Sequence, residues 1–280
     1  MPIDDKSYFS NSIPGAMTVA GDVDIFTIDA TPKLAVGTKM ERQDGNTYRY
    51  AHIGEAVAAG RVVSPDLNQA SYAYSANAVI ATNSAFQQAT EITGVYPGMK
   101  DSRFVAVILG TQTADKFAGS YLGISSGTGL GYSYRVKGNQ VSSGTATIIE
   151  LYDKIKVGLD ATADITITPC KYNSCISALA GTTRNGLPVG VLCSAAAATS
   201  SYGWILTKGL ISVFQSGGLT SGIWAALSQS DAGAVEIWAQ DAVAATTGTL
   251  LRAELDNPLV GLCVQATADS GHCVVNVALE

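Results

Sequence analysis

Charge is what this sequence has least of. Asp, Glu, Lys and Arg make up 14% of its 280 residues, against the ~25% of an ordinary globular chain. Histidine is rarer still, with 2 in the whole chain, and general acid–base catalysis draws on histidine more than on any other side chain. The composition therefore argues against an acid–base enzyme. No run of Lys or Arg forms the basic stripe that a phosphate backbone requires, and the formal net charge is −6, so no nucleic-acid partner is expected. Long apolar runs are missing as well. The longest, Leu187 to Ala198, is interrupted by Pro188, Gly190 and Ser194 and falls short of the ~20 residues that span a bilayer, so no membrane partner is expected. The opening residues, Met1-Pro2-Ile3-Asp4-Asp5-Lys6, carry neither the cationic nor the apolar region of a secretory signal, and the expectation is a soluble product of a cytoplasm. Cysteines number 5, an odd count that leaves at least one unpaired. Cys170, Cys175, Cys193, Cys263 and Cys273 are expected to be reduced core residues.

What is present is apolar and small: 47% hydrophobic residues and 29 glycines. A chain of this length, at a prior of ~150 residues per domain, builds one large or two modest domains and a core that needs no disulfides. A surface left largely to uncharged residues is expected to be covered in part by a partner.

Along the chain, residues 1–36 read as an extended arm, because Pro2, Pro14, Gly15 and Pro32 leave no room for a continuous helix or hairpin. The arm's apolar residues, among them Tyr8, Phe9, Ile13, Ile25 and Phe26, come in small clusters suited to docking. At ~3.3 Å per residue such an arm reaches about 100 Å, far enough to cross to a neighbouring subunit. From Gly37 the signals are for strands. Asp44-Gly45-Asn46 between Thr38–Arg42 and Thr47–Tyr50 marks a hairpin. A small-residue turn and a short strand at Glu55–Ser64 recur in kind at Gly218–Ser228, where the aromatic strand Tyr202–Leu206 stands upstream as Tyr48-Arg49-Tyr50 does in the first copy. This weak repeat suggests one antiparallel β-barrel or sandwich body, residues 37–100 and 181–280.

Residues 101–180 read as an inserted antiparallel β domain. Its short β-branched or aromatic segments, Arg103–Leu109, Tyr121–Ile124, Gly131–Val136, Thr147–Leu151 and Asp164–Thr168, are each closed by turn residues. The stretch 71–92 is rich in Ala, Asn and Gln, and it suits a helix over Asn83–Ala89 or a pair of strands. The expected fold class is all-β.

Candidate chemistry is sparse. Gly123-Ile124-Ser125-Ser126-Gly127 has the spacing of a nucleophile elbow, with Asp256 and His272 in the matching chain order. The residues that follow, Thr128 to Tyr134, cannot form the helix an elbow needs, so a hairpin turn is expected. Gly127-Thr128-Gly129-Leu130-Gly131 lacks the third glycine of a dinucleotide loop and the Gly-Lys-Ser/Thr ending of a phosphate loop, and a turn is expected there too. The cysteines contain no C-x2-C pair, and His272-Cys273 point to opposite faces of a strand, so no metal and no cofactor is expected. The acids Glu41, Asp44, Glu55, Asp66, Asp231, Glu236, Asp241 and Glu254 show no pairing in their spacing, and no catalytic residue is assigned. Three Tyr-x-Tyr pairs (Tyr48/Tyr50, Tyr72/Tyr74, Tyr132/Tyr134) and Trp204, Trp224 and Trp238 suit a core, a subunit interface or a sugar-binding platform.

The succession Gly37-Thr38 to Asp44-Gly45 and Tyr48-Arg49-Tyr50, then Ala58-Ala59-Gly60 and a valine strand, resembles the opening of tailed-phage structural proteins that decorate or cement the capsid. Similar too are Phe117–Leu122 with Gly131–Lys137, the block Tyr202–Gly209, and the ending Gly233–Glu236, Leu259–Gly261 and Cys273–Leu279. The resemblance covers most of residues 37–280; the arm, the cysteines and the Asn/Gln-rich stretch 77–90 lie outside it. It implies a non-enzymatic homotrimer on the outer surface of an icosahedral head, made in the host cytoplasm and bound to the major capsid protein. Contact residues are expected at Tyr8, Phe9, Ile13, Ile25, Phe26, Tyr48 and Tyr50. A head-fibre or tail-spike module that binds host glycan is the alternative.

Overall fold

The computed structural model describes residues 24–66, 74–75, 98–143, 146–160, 162–178, 187–238, 258–267 and 271–280. Among them there are strands, turns and bridges and no helix, which meets the all-β expectation. The chain divides into two units, a body of residues 1–66 and 171–280 and an inserted unit of residues 67–170.

The body opens on the hairpin of β1 (Lys39–Glu41) and β2 (Thr47–Ile53), with Met40 opposite Tyr48. Its turn works as the residues dictate: Gly45 takes a φ of +83°, and the Asp44 carboxylate accepts the Asn46 N–H at 2.9 Å. β3 (Val62–Pro65) follows. The inserted unit then holds β4 (Tyr74–Ser75), β5 (Phe104–Val107), β6 (Thr111–Gln112), β7 (Tyr121–Ser126), β8 (Ser133–Asn139), β9 (Ser142–Ser143), β10 (Thr147–Leu151) and β11 (Asp164–Thr168). The body resumes with β12 (Cys175–Ser177), β13 (Gly190–Leu192), β14 (Ser201–Phe214), β15 (Trp224–Leu227), β16 (Val235–Ile237), β17 (Leu259–Gln265) and β18 (His272–Ala278).

In the body, β2, β12, β3, β13 and β14 follow one another, and β14 also pairs with β2, so these five strands close a barrel. The seam between β2 and β12 is parallel and rests on one residue pair, Ile53 with Cys175. β14 is long enough to serve two structures. Its first half pairs with β2 (Trp204 opposite Tyr50, Leu206 opposite Tyr48) and with β13. Its second half pairs with β18, from which β17, β15 and β16 continue an open sheet. The aromatic strands of the two similar segments thus lie side by side. Burial follows this division, since Gly203–Thr207 are buried throughout whereas Lys208, Leu210 and Ser212 are exposed alternately. Tyr50, Trp204, Leu206, Val213, Cys263 and Val275 belong to one core, each large apolar member contributing ~2 kcal/mol by leaving water.

The described part of the arm, from Asp24, is seated on this body. Ile25 joins the core. Asp29 and Tyr202 exchange two backbone hydrogen bonds of 2.8 Å, and Gly203 leaves the room that Ile28 fills: a Cβ there would come within 2.4 Å of Ile28 Cδ1.

The inserted unit is a six-stranded sheet in the order β4-β11-β7-β8-β10-β5, with β6 and β9 paired separately. Its core gathers Val107, Phe117, Leu122, Val136, Ile149 and Ile165. Its limits differ from the expected 101 and 180. Tyr74 and Ser75, assigned from sequence to the body, pair with Ile167 and Thr166 of β11, and residues 175–177 return to the barrel as β12. A two-residue strand is too short to show a period, and its partner lies about ninety residues away, so neither boundary has a local signal.

Candidate contact surface

Registered neighbours in an antiparallel sheet project to the same face. Following the pairing from β14 outward, Leu210 lies opposite Asn276, Asn276 opposite Leu262, and Leu262 opposite Trp224. Trp238 donates its N–H to the Trp224 carbonyl at 2.9 Å, and the pairing of Ala225 with Ile237 sets Trp238 opposite Trp224. The result is a row of Leu210, Asn276, Leu262, Trp224 and Trp238 on the face turned away from the core. At ~4.8 Å between strands it is about 19 Å long. Leu210 is 53% and Trp224 47% exposed, and the row contains no charged residue. Val264, squeezed out by a bulge between Cys263 and Gln265, adds a further exposed side chain beside it. Of the three tryptophans, Trp204 alone is buried in the core. At one margin the Glu236 carboxylate accepts a 3.0 Å hydrogen bond from Ser228.

The contact residues expected from sequence are distributed differently. Tyr8, Phe9 and Ile13 lie outside the described residues, as does Tyr72. Ile25, Tyr48 and Tyr50 are buried within the body's own core, Tyr50 at 2% exposure, which corrects their assignment to a partner surface. Tyr50 holds the arm instead, its hydroxyl accepting the Lys33 N–H at 3.2 Å. Burial pushes the phenols of Tyr48 and Tyr50 above their ordinary pKa. Phe26 is 62% exposed and is the one residue of the expected set that faces solvent among the described residues.

Ser125 lies in β7 of the inserted unit, where its hydroxyl donates to the Asp164 carbonyl at 3.2 Å, and His272 lies in β18 of the body with its ring edge-on to Phe214; Asp256 is outside the described residues. Gly127, Gly129 and Gly131 all adopt positive φ in the turn between β7 and β8. All five cysteines are buried and outside any disulfide, with burial pushing Cys193 and Cys273 up to about 12. Among the described residues no group of three or more His, Cys, Asp or Glu is placed to hold a metal ion.

Sequence reasoning missed a cluster around the other histidine. His52 Nε2 lies 3.2 Å from Ser200 Oγ and Nδ1 lies 2.9 Å from Asn173 Oδ1, a serine–histidine–asparagine chain in outline. The Ser174 backbone N–H, however, donates to Nδ1 at 3.2 Å. A backbone donor has no alternative orientation, whereas a carboxamide can be turned over. Nδ1 is therefore the acceptor, Nε2 carries the proton and donates to Ser200, and His52 cannot act as a base toward that hydroxyl. These residues are 121 and 148 positions from His52, so no sequence window contains them together.

Comparison with protein-family models, with curated proteins and with solved structures finds no match to this chain.

Proposed function

We propose that this chain is a virion structural protein that decorates or cements the outside of an icosahedral phage head, as a homotrimer bound to the major capsid protein. The observation that carries the reading is the uncharged row from Leu210 to Trp238, laid across five strands and ending at the edge strand β16. Such a face is stable in water only at a cost of ~2 kcal/mol per large side chain left uncovered, and repetition by symmetry multiplies weak contacts through avidity. Of the blocks that resemble cement proteins, Gly233–Glu236, Leu259–Gly261 and Cys273–Leu279 fall in or beside β16, β17 and β18 of this sheet, whereas Tyr202–Gly209 runs through the barrel half of β14 and Phe117–Leu122 and Gly131–Lys137 lie in the inserted unit.

Co-sedimentation with phage heads lacking the protein tests the reading. Replacing Trp224 and Trp238 with serine should weaken attachment by at least about tenfold with the melting profile retained. Attachment at full strength by that variant contradicts the proposal. A second reading, a glycan-binding head-fibre or tail-spike module, is favoured by exposed Trp224 and half-buried Trp238 in a row that also carries Asn276 and has Glu236 at its margin, since rings with hydrogen-bonding groups nearby suit a pyranose. A glycan-array signal that the same variant loses, with no binding to heads, would select it.

A further inference from the structure

The chain re-enters the body through the turn 171–174, and this turn is held to β2 by side chains that change protonation on acidification. Three hydrogen bonds join it and β12 to the end of β2: between main chains, His52 N–H to the Tyr172 carbonyl at 3.0 Å and Gly54 N–H to the Cys175 carbonyl at 2.8 Å, and from main chain to side chain, Ser174 N–H to His52 Nδ1. The fit is close, since a Cβ on Gly54 would come within 2.7 Å of Ser174 Oγ. Ser174 and Ser200, which flank the imidazole, have φ of +53° and +62°, a backbone region that non-glycine residues occupy only when their surroundings hold them there.

We propose that the 171–174 turn is an acid-released latch on the barrel seam: a proton taken up at His52 Nδ1 displaces the Ser174 N–H and opens the pairing of β2 with β12. The neutral ring accepts at Nδ1. Once protonated, that nitrogen is a donor, and the Asn173 carboxamide, whose end atom lies 2.9 Å away, turns its oxygen toward it, while the Ser174 N–H loses its acceptor. The histidine thus has two arrangements that differ in which partner of the turn it holds. The seam can respond because it contains one registered residue pair, whereas β2 is paired with β14 from Ser201 to Lys208.

The groups packed on His52 are Asn173 and Ser174 from the turn, Ser200, and the Tyr202 ring of β14 at 4.8 Å, none of them charged at neutral pH. Burial, opposed by the Asn173 contact, places the imidazole below its ordinary 6.5. A second hold acts on the same turn: Glu280 accepts from the Tyr172 hydroxyl and lies 3.8 Å from Lys171, and the same carboxylate pairs with Arg49 of β2. Burial raises the Glu280 carboxyl, but the hydrogen bonds of Tyr172 and Arg49 and the charges of Arg49 and Lys171 outweigh it and hold the group below 4.5. Both holds weaken as protons are added.

Two measurements on the full chain test the latch. Nitrogen-15 spectra of the imidazoles, with exposed His272 as internal reference, should show His52 as the Nε2–H tautomer at neutral pH and a midpoint below about 6.5. Hydrogen exchange, corrected for intrinsic rates, should show the amides of Gly54, Ser174 and Cys175 losing about tenfold in protection across that midpoint while those paired between β14 and β18 do not change. His52→Gln should abolish the change across that midpoint, leaving only the dependence that Glu280 gives. An Nδ1–H tautomer at neutral pH, or seam protection that stays constant through the His52 midpoint, overturns the proposal even if the variant does not fold.

Discussion

Glu280 illustrates how a single side chain joins three distant parts of the body. Its carboxylate takes a two-pronged hydrogen bond from Arg49, Nε at 2.9 Å and Nη2 at 3.1 Å, and is also reached by the Tyr172 hydroxyl and, at 3.4 Å, by Thr207. A carboxyl whose pKa is lower in the folded than in the unfolded chain adds stability above the unfolded value and loses it as pH falls through the folded one. Glu280→Gln should therefore cost about 1 kcal/mol at neutral pH, a figure reduced for partial exposure. The difference from the unmodified protein should close as pH falls below 4.5. Urea denaturation at a series of pH values reads this directly, and parallel curves would refute it. Neither this cluster nor the one at His52 was legible in the sequence. Single polar residues whose partners lie 73 or more positions away leave no pattern. The Tyr-x-Tyr pairs were legible as two rings on one face, but alternation gives no indication of which face is inside, and Tyr48 and Tyr50 face the core.

Elements whose cause is local were readable. Asp-Gly set the first hairpin, and β10 and β11 occupy the bounds read from their β-branched runs, Thr147–Leu151 and Asp164–Thr168. β14 was not: the strand read at Tyr202–Leu206 runs on to Phe214. The glycine that obscured it is what lets it continue. Gly209 has a φ of +115° and sits beside the register shift between Leu206 and Lys208; a Cβ there would lie 1.8 Å from Asn46 Oδ1, the oxygen that accepts the Leu210 N–H at 3.1 Å. Gly209→Ala should destabilise the body by about 2–3 kcal/mol, combining an unfavourable φ with the displaced Asn46, whereas Gly217→Ala, with a positive φ and nothing within 4 Å, should cost only the backbone part, about 1 kcal/mol. Equal losses in thermal melts would show that the Asn46 contact contributes nothing. The closure of the barrel between β2 and β12 was likewise unreadable, because one parallel residue pair has no sequence signature.

Across the whole molecule, the low charge noted at the outset divides between places the sequence alone could not separate. Part of it lies inside, in two cores filled by β-branched, aromatic and thiol side chains. Part lies outside, on the open sheet that continues from the barrel, where the row from Leu210 to Trp238 offers a partner apolar area without ions to desolvate. The described arm residues are fixed to their own chain through Ile25, Ile28 and Asp29, and of the contact residues expected from sequence only Phe26 is exposed among the described residues. The role proposed for the protein is to coat a capsid through that uncharged face. Electron-microscopic reconstruction of phage heads produced with and without the chain tests it most directly. The account predicts threefold density on the outer surface in the first sample only, with the sheet of β15, β16 and β17 against the shell or a neighbouring copy. Identical heads in the two samples, or density whose Trp224 face is open to solvent, would contradict it.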